Sequence, residues 1–447
     1  MTDSAAKPDE PALDLNSVLT SRGYHALLLA AVVIGVPVAL IAFGFLAAVT
    51  KLEHWVWATV PENFGWEQPT AWYAVLVLGF AGVLVGLVVA HLPGRGGHIP
   101  VKGLGGGGTL PIDLPGVLLA AAASLVLGAV LGPEAPLIAL GGGLVLLAAN
   151  RTRLSESPQG LKLLVVAGSA AAIATVFGNP VVAAVLVLEI VGFASSQVMV
   201  VLLPCLASAG IGALIFTGLG NWTGLAVPSL AIPGLPTATV DFGDLLWVLP
   251  VAVLAAIGAQ LCRRLGLRAA QATAHHTVAT TTLAGLVVGG CAAAYALLTD
   301  RSPLEVLQSG ETELPALVSS PTSWSIVTLL LLLAFKGVAY AVSLGSFRGG
   351  PTFPAVFLGA VIGVLVAPLP GLGVTAGIAI GMTAATTAVL RLPVTSIILV
   401  VLFLGAEAAS QIPIVMLAAV VALVTAVALD GRGLTSSEAG RPATRSA

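Results

Sequence analysis

Charged residues are scarce in this chain. Asp, Glu, Lys and Arg make up 9% of its 447 residues, whereas they supply about 25% of a typical soluble domain. Hydrophobic residues reach 57% and the mean hydropathy is +1.05, which excludes an ordinary soluble protein. Many apolar stretches approach the length of about 20 residues that a helix needs to cross a bilayer. The composition therefore predicts an all-α polytopic membrane protein.

Cysteine and histidine are also few. Cys205, Cys262 and Cys291 each lie alone in an apolar segment, which is typical of small buried residues and not of disulfides or metal sites. His275 and His276 are adjacent, but they lie beside a basic connection, which favours a solvated helix end over a metal site. A net charge of −2 leaves no basic surface for nucleic acid. We therefore predict no cofactor, no metal and no nucleic-acid partner.

Long polar blocks and a removable signal are missing as well. The N-terminus lacks the basic region and short apolar core of a signal peptide, and the tail is too short to fold alone. We predict a cytoplasmic N-terminal segment (1–22), one membrane transport domain (23–429) and a short cytoplasmic tail (430–447), in a protein of the cell membrane. Gly and Pro interrupt many apolar segments, and a bilayer tolerates broken helices only where protein or water satisfies the backbone. This pattern favours a transporter or a channel.

The distribution of charge and tryptophan predicts which connections face which side. By the positive-inside rule, the connections rich in Lys and Arg are cytoplasmic: Arg95, Lys102, Arg151, Arg153, Lys162, Arg263, Arg264, Arg268, Arg432, Arg441 and Arg445. Acidic connections poor in Lys and Arg are predicted on the opposite side: Glu53, Glu62, Glu67, Glu305, Glu311 and Glu313. Five tryptophans near these edges predict an interfacial belt: Trp55, Trp57, Trp66, Trp72 and Trp324.

Two parts of the chain resemble each other. Gly168–Leu188 aligns without gaps with Gly381–Val401, and each segment has its proline at the same distance from its first glycine. Upstream, Pro136–Gly141 aligns in the same way with Pro354–Gly359. We predict an internal duplication, with repeat halves at approximately 23–240 and 241–429.

Glu134 is an isolated acid between two prolines at the start of an apolar segment. An acid within a membrane segment indicates a functional site by default. Duplicated transporters place their sites between the repeats, where the N-termini of short helices meet, and helix N-termini favour anions. The matching breaks here are 132–136 and 349–354, so the sequence predicts an anionic ligand at this point.

Three short motifs then connect the chain with a known family. Gly96–Pro100 reads GGHIP, Gly132–Pro136 reads GPEAP and Gly350–Pro354 reads GPTFP. In this order they resemble the anion-binding segments of the CLC family of chloride channels and chloride/proton antiporters. Further likeness lies in 177–189 and 390–399, so that the resemblance covers roughly residues 25 to 429.

The resemblance implies a CLC-like inverted-repeat bundle with many tilted, broken and re-entrant helices. It further implies a homodimer in the lipid bilayer, with one pathway in each subunit for chloride or a similar small anion, as a channel or a proton-coupled antiporter. Fluoride or nitrate is the alternative substrate. A non-transporting scaffold or an intramembrane enzyme is the alternative function, although the sequence predicts no enzyme.

Individual roles follow from the same resemblance. Glu134 is the gating glutamate, and the structural alternative is a glutamate that caps the helix near Pro136. Anion-binding positions are Gly97, His98, Ala135, Thr352, Phe353 and Ser410. His98 is alternatively a histidine satisfied by the backbone.

The chain also departs from the family pattern at several positions. Gly97 replaces a serine, and Pro351 lacks an N–H donor. The stretch 405–411 has no tyrosine where the family's central tyrosine is expected, and Ser410 or Gln411 is the substitute donor.

The sequence leaves more than one candidate for the proton pathway. Glu189 and Glu407 are the candidate acids, with a structural acid and a solvated helix break as their respective alternatives. The position after Glu189 is apolar, where many antiporters carry a second acid. Lys336 and Arg391 are predicted to pair, cap or snorkel and not to bind substrate.

Overall fold

The computed structural model describes residues 15–105, 108–151, 157–191, 198–223 and 230–431. Most of the predicted terminal segments, together with Arg153, Arg432, Arg441 and Arg445, lie outside these ranges. Within the described ranges the chain forms seventeen α-helices. Their bounds are α1 (Leu15–Leu19), α2 (Arg22–His54), α3 (Val60–Asn63), α4 (Ala71–His91), α5 (Leu114–Val126), α6 (Glu134–Ala149), α7 (Pro158–Phe177), α8 (Pro180–Val191), α9 (Val198–Thr223), α10 (Phe242–Ala274), α11 (Thr277–Thr299), α12 (Leu314–Ser319), α13 (Ile326–Ser346), α14 (Thr352–Val366), α15 (Gly373–Leu390), α16 (Pro393–Leu404) and α17 (Ala408–Gly431).

The helices differ in length in the way that the sequence predicts. In the described part of the chain, nine helical stretches are long and apolar enough to cross a membrane. Four further apolar helices are shorter than a span: α5, α6, α8 and α14. The prediction of an all-helical, multi-pass membrane protein with several short helices is therefore confirmed.

Glycines allow neighbouring helices to approach closely. A Cβ at Gly285 of α11 would lie 2.0 Å from the carbonyl oxygen of Leu78 in α4, and one at Gly82 would lie 2.4 Å from that of Thr281. Lipid offers little hydrophobic drive for helix association, so such small-residue contacts supply van der Waals packing instead. Substitution at either glycine would force α4 and α11 apart.

The residues group into two compact units. One holds the described residues within Met1–Phe43, Gly106–Gly108 and Leu140–Val227, and the other holds those within Gly44–Gly105, Thr109–Ala139 and Pro228–Ala447. In the first unit α7 packs against α9, with Gly212 seated on the Ala171 carbonyl oxygen. The second unit contains both breaks that the sequence singles out.

A local arrangement recurs at the residues that the repeat alignment pairs. In the first unit a Cβ at Gly141 would lie 2.4 Å from the carbonyl oxygen of Gly168, and in the second a Cβ at Gly359 would lie 2.4 Å from that of Gly381. Each pair therefore forms a crossing that only glycine permits. The assignment of the halves to 23–240 and 241–429 stays a prediction.

The helix breaks that follow these crossings also match. The residues that directly follow α7 and α15, Gly178 and Arg391, both have a left-handed backbone, with φ values of 58° and 60°. A proline then begins the next helix in each case, at Pro180 and Pro393. Arg391 adopts a conformation that non-glycine residues rarely take, which a helix C-terminus allows.

Two of the five tryptophans correct the predicted interfacial belt. Trp57 is 3% exposed, and its indole N–H donates to the Val126 carbonyl at 3.0 Å. Gly128 leaves room for this ring, because a Cβ there would lie 2.6 Å from it. Trp324 is also buried, with the Arg301 guanidinium 3.7 Å from the centre of its ring. Trp55 remains exposed, as a belt residue should be.

The two buried or half-buried cations act as the sequence predicts. Lys336 is fully buried, and its Nζ donates to four consecutive backbone carbonyls, those of 305–308, at 2.9–3.5 Å. Arg391 pairs with Asp430, which also accepts from Arg263 at 3.1 Å. These contacts confirm capping for Lys336 and ion pairing for Arg391.

The cysteines and the histidine pair occupy ordinary structural positions. Cys205 is fully buried, while Cys262 and Cys291 are half-buried, each on a different helix. His275 and His276 lie exposed at the junction between α10 and α11. The predicted solvated helix end is confirmed.

Candidate functional site

The two breaks predicted from the repeat meet in the structure. Gly132, just before α6, and Gly350, just before α14, exchange two backbone hydrogen bonds. The Gly132 N–H donates to the Gly350 carbonyl at 2.8 Å, and the Gly350 N–H donates to the Gly132 carbonyl at 2.5 Å. The chain segments that precede two short helices are thus joined to each other.

Glu134 bridges these helices. It is the first residue of α6 and is 0% exposed. Its Oε1 accepts a hydrogen bond at 3.2 Å from the backbone N–H of Phe353, in the first turn of α14. The carboxylate therefore contacts the N-terminus of another helix as well as the start of its own, so that the gate and the cap both stay predictions.

Glycine is required on both sides of this carboxylate. A Cβ at position 350 would lie 1.6 Å from Glu134 Oε2, and a Cβ at position 132 would lie 2.5 Å from the same atom. No side chain fits at either distance. The two glycines of the motifs thus provide the space that the acid occupies.

The second carboxylate oxygen has no partner of its own. Among the described residues, neither Glu134 Oε2 nor the Thr352 hydroxyl has a partner in good hydrogen-bond geometry, although the Thr352 side chain is near enough to interact with the carboxylate. No Lys, Arg or His nitrogen of those residues lies within 4.0 Å of the carboxylate. Its charge is balanced instead by N–H groups and the positive end of a helix dipole, which is how helix N-termini hold anions.

Tyr340 supports the break from α13. It is 1% exposed, and its hydroxyl donates to the Pro351 carbonyl at 2.6 Å. Sequence reasoning missed this residue, because an isolated tyrosine within a spanning helix has no motif. Its role is to position the turn from which the Phe353 N–H projects.

A small cavity lies beside the first turn of α6. Its volume is about 10 Å³, close to what one water molecule needs. Residues from four segments line it, among them Gly96, His98, Val117, Ala135, Arg348 and Gly349. Arg348, which is buried, is the second residue that sequence reasoning missed.

The predicted anion-binding residues thus fall into two groups. His98 and Ala135 line the cavity, whereas Thr352 and Phe353 adjoin the carboxylate. Gly97, with φ of 84°, is packed against Val117, where a Cβ would be 3.0 Å from the nearest atoms. Partial burial is the main reason that the pKa of His98 is lowered from its ordinary value, and the charges of Lys102 and Arg348 act in the same direction.

Ser410 and Glu407 make structural contacts in the second unit. The Ser410 hydroxyl donates to the Glu407 carbonyl at 2.9 Å, and the Glu407 carboxylate accepts from the Ala238 N–H at 3.2 Å. Gln411 donates to the Ala238 carbonyl and to the Ser410 hydroxyl. Glu189 lies half-buried near the end of α8, in the first unit.

The sequence model of the voltage gated chloride channel family matches residues 105–427, which is more than half of the chain. The chain belongs to this family. Among curated relatives of this CLC protein is YfeO of Escherichia coli (strain SMS-3-5 / SECEC), whose name assigns it to ion transport. The two are 28% identical over 354 residues, which cover 77% of this chain and 80% of YfeO.

Solved structures share the CLC fold with this chain. A slow cyanobacterial Cl⁻/H⁺ antiporter superposes with a TM-score of 0.74 at 19% identity, covering 91% of this chain and 95% of its own. A CLC-type fluoride/proton antiporter superposes with a TM-score of 0.70 at 19% identity, covering 90% of this chain and 95% of its own. A eukaryotic CLC transporter superposes with a TM-score of 0.66 at 16% identity, covering 90% of this chain and 72% of its own. The predicted CLC-like fold is confirmed.

Proposed function

We propose that this CLC protein moves chloride or a similar small anion across the membrane, and that Glu134 is its gate. One observation carries the proposal: a fully buried carboxylate accepts the N–H of Phe353 at a helix N-terminus, with no cation beside it in the described chain. A group held in this way occupies a position that suits a free anion equally well.

In the closed state the ionised carboxylate competes with the transported ion. It takes up the Phe353 N–H and fills the space above Gly350, so an anion finds neither a donor nor room. Membership of the family and the nature of the solved antiporters of like fold support this assignment.

Protonation opens the gate. A neutral carboxyl group loses its attraction to the positive helix ends, and water or a nearby polar group can then accept its new O–H. When the side chain leaves, the Phe353 N–H and the unpartnered Thr352 hydroxyl become available to the anion. Because the proton arrives from one side and can leave to another, the same group supports proton-coupled exchange as well as channel flow.

Binding along the pathway has to remain moderate. Conduction requires sites favourable enough to replace part of the hydration shell of the ion, yet weak enough to release it. Backbone N–H groups meet this requirement because they carry partial charges only. The loss of one donor at Pro351 leaves fewer of them here than the motif would otherwise provide.

The experiment is anion efflux from liposomes that hold the purified full-length chain and a pH reporter, with chloride, fluoride and nitrate compared. Glu134→Gln, which imitates the protonated acid, is expected to give efflux that no longer depends on pH and no longer moves protons. Glu62→Gln makes the same chemical change at an exposed position and should behave like the wild type.

The outcomes separate the alternatives. Efflux of fluoride or nitrate without chloride would reassign the substrate within the same mechanism. Absence of efflux for all three anions under every gradient would overturn transport, and an unchanged pH dependence in Glu134→Gln would overturn the gate. We also propose a homodimer from family membership, which the mass of the detergent-solubilised protein tests directly.

A further inference from the structure

A proton that reaches Glu134 has to pass through other groups. The Glu134 side chain is 0% exposed, and its carboxylate is enclosed by the backbone of Gly132 and Gly350. A proton from solution therefore needs an intermediate acid or a water molecule nearer to the surface. Acidic side chains that lie in sequence along a path serve this purpose in membrane proteins.

The connection between α11 and α12 lies against both helix starts. The Gln308 N–H donates to the Gly128 carbonyl at 3.1 Å, in the segment that leads to α6. Gly310 is seated on the ring of Phe357, one turn after Phe353 in α14, since a Cβ at Gly310 would lie 2.5 Å from that ring. The connection is thus fixed to the segment before α6 and to the first turns of α14.

Lys336 of α13 holds the same connection from a third direction. Its ammonium group donates to the carbonyls of 305–308. Its Nζ also lies 4.6 Å from the centre of the Phe357 ring, on which Gly310 rests. The residue that follows Gly310 therefore has a well-defined place above the two helix starts.

That residue is Glu311. Its carboxyl group is surrounded by protein, and the charge of Glu134 acts on it. The residue nevertheless keeps part of its surface accessible, and its neighbour Thr312 is exposed. No Lys, Arg or His nitrogen of the described chain lies within 4.0 Å of the Glu311 carboxylate. Glu311 thus lies between the protein surface and the fully buried acid, and no ion pair holds it in one charge state.

The charged groups around this part of the connection come from several elements: Glu53 of α2, Glu134 of α6, Glu305 and Glu313 of the connection itself, and Lys336 of α13. The charge of Glu313 is partly offset by that of Lys336. Burial, and then the charge of Glu134, raise the pKa of Glu311 to about 7. A carboxyl group with such a pKa takes up and releases protons readily at neutral pH.

We propose that Glu311 relays protons between the solution and Glu134. The inference rests on the proposed role of Glu134 as a proton-dependent gate, and it names the residue through which the proton passes. In the relay step the Glu311 carboxyl group gives its proton, directly or through water, to the Glu134 carboxylate. Glu311 becomes a carboxylate and Glu134 a neutral acid, so the charge of the pair is unchanged. Glu311 then takes up its next proton from the solution, which the charge distribution predicts to be on the non-cytoplasmic side.

The first test is anion efflux and proton movement in liposomes that hold the full-length chain. Glu311→Gln should slow proton-dependent efflux about tenfold or more, because positioned acid–base groups accelerate proton transfer by about 10²–10⁴-fold and water replaces them only in part. Glu313→Gln makes the same change in the same connection, at an acid whose charge contacts are with Lys336 and Glu305, and should keep the wild-type rate. Equal slowing in both variants would assign the effect to surface charge and overturn the relay.

The second test repeats Glu311→Gln in the Glu134→Gln background. A gate that needs no proton needs no relay, so the double variant should have the same efflux as Glu134→Gln alone. A structural role of Glu311 would slow efflux in both backgrounds. A further loss of rate in the double variant would therefore contradict the proposal.

The third variant, Glu311→Asp, covers the case in which Glu311→Gln fails to fold. It keeps a titratable carboxyl group and should recover most of the proton-dependent rate. A loss as large as that expected for Glu311→Gln would show that proton exchange at this position is not what matters.

Infrared titration of the purified protein tests the relay without any transport. The protonated carboxyl band that Glu311→Gln removes should titrate near pH 7, and Glu134→Gln should shift its titration to lower pH, because a negative charge near it is lost. An unshifted band in Glu134→Gln would overturn the link between the two acids.

The two proposals fail in different ways. Wild-type pH dependence in Glu134→Gln would overturn the gate. Loss of pH dependence in Glu134→Gln, together with a wild-type rate in Glu311→Gln, would overturn the relay alone.

Discussion

The Glu134 carboxylate lies directly over the backbone of Gly350. A Cβ at position 350 would stand 1.6 Å from Oε2, so the acid and any side chain at 350 exclude each other. The carboxylate has space there only because Gly350 carries a hydrogen atom where alanine would carry a methyl group. The relationship makes Gly350 a sensitive probe of where the carboxylate sits.

We predict that Gly350→Ala displaces Glu134 from its position. The alanine methyl group is fixed to a backbone that two hydrogen bonds with Gly132 hold in place. The flexible Glu134 carboxylate is therefore the group that has to move. Anion efflux from liposomes should then become less dependent on pH, as in Glu134→Gln. Gly290→Ala is the control, because a Cβ there has no neighbouring atom within 4 Å. Retention of the wild-type pH dependence in folded Gly350→Ala would contradict the described position of the carboxylate.

Tyr340→Phe should weaken both stability and transport. The change removes a buried hydroxyl that donates to the Pro351 carbonyl at 2.6 Å, and an unpaired buried carbonyl costs about 1–3 kcal/mol. Tyr73→Phe removes a similar bond, to the Val56 carbonyl at 2.7 Å, away from the breaks. Both variants should lower the thermal midpoint in detergent, but only Tyr340→Phe should alter efflux. Equal efflux in the two would show that Tyr340 has no positioning role.

Lys336→Met should destabilise the protein strongly. Four backbone carbonyls share the Lys336 ammonium group, and methionine has a similar length but no donor. Hydrogen bonds to charged groups contribute about 1.5–3 kcal/mol each, and the buried carbonyls would be left without a donor. Thermal unfolding monitored by size-exclusion fluorescence measures the effect. Lys51→Met, at an exposed position, should change the midpoint little; a similar small change at position 336 would refute the capping role.

We expect the stability of the folded protein to depend on pH through the buried carboxyl group of Glu311. It lies in the connection between α11 and α12, where burial raises the pKa of its carboxyl from 4.5 to about 7, and the charge of Glu134 raises it further. Between these pH values the folded protein binds more protons than the unfolded chain, so this contribution to stability is present below pH 4.5 and is lost as the pH rises through about 7.

Glu311→Gln should therefore be more stable than the wild type above pH 7 and should lose less stability between pH 5 and 8. Thermal midpoints measured across this range check the prediction. Glu67→Gln, at an exposed acid, is the comparison and should leave the profile unchanged. A wild-type profile in Glu311→Gln would assign the pH dependence to another group.

Sequence patterns predicted the elements well because the bilayer leaves few alternatives. The lengths of the apolar segments predicted the spanning helices. Prolines predicted the starts of α8 and α16, because the first residue of a helix has no intrahelical hydrogen bond that a missing N–H would break. The repeat alignment paired the break before α6 with the one before α14, and the structure joins Gly132 to Gly350 at that point. The spacing of the two motifs was sufficient to predict this pairing, because the glycines and prolines of each motif determine its local backbone geometry.

Contacts between distant segments were not accessible in the same way. Arg348 stands beside two glycines and resembles an ordinary loop cation in the sequence, whereas its burial depends on Gly96 and the first turn of α6. Trp57 looked like a belt residue because its environment depends on the missing side chain of Gly128, more than 70 positions later. Such features depend on tertiary packing, which periodicity and motif spacing do not encode.

The pair of hydrogen bonds between Gly132 and Gly350 also has a kinetic consequence. Separation of the two helix starts would break both bonds in a buried setting, whereas departure of Glu134 breaks one bond and turns a few side-chain torsions. Side-chain rotation occurs in picoseconds to nanoseconds where space allows, far faster than collective helix motion. The backbone at this point therefore behaves as a rigid frame, and the Glu134 side chain is the part that can move against it.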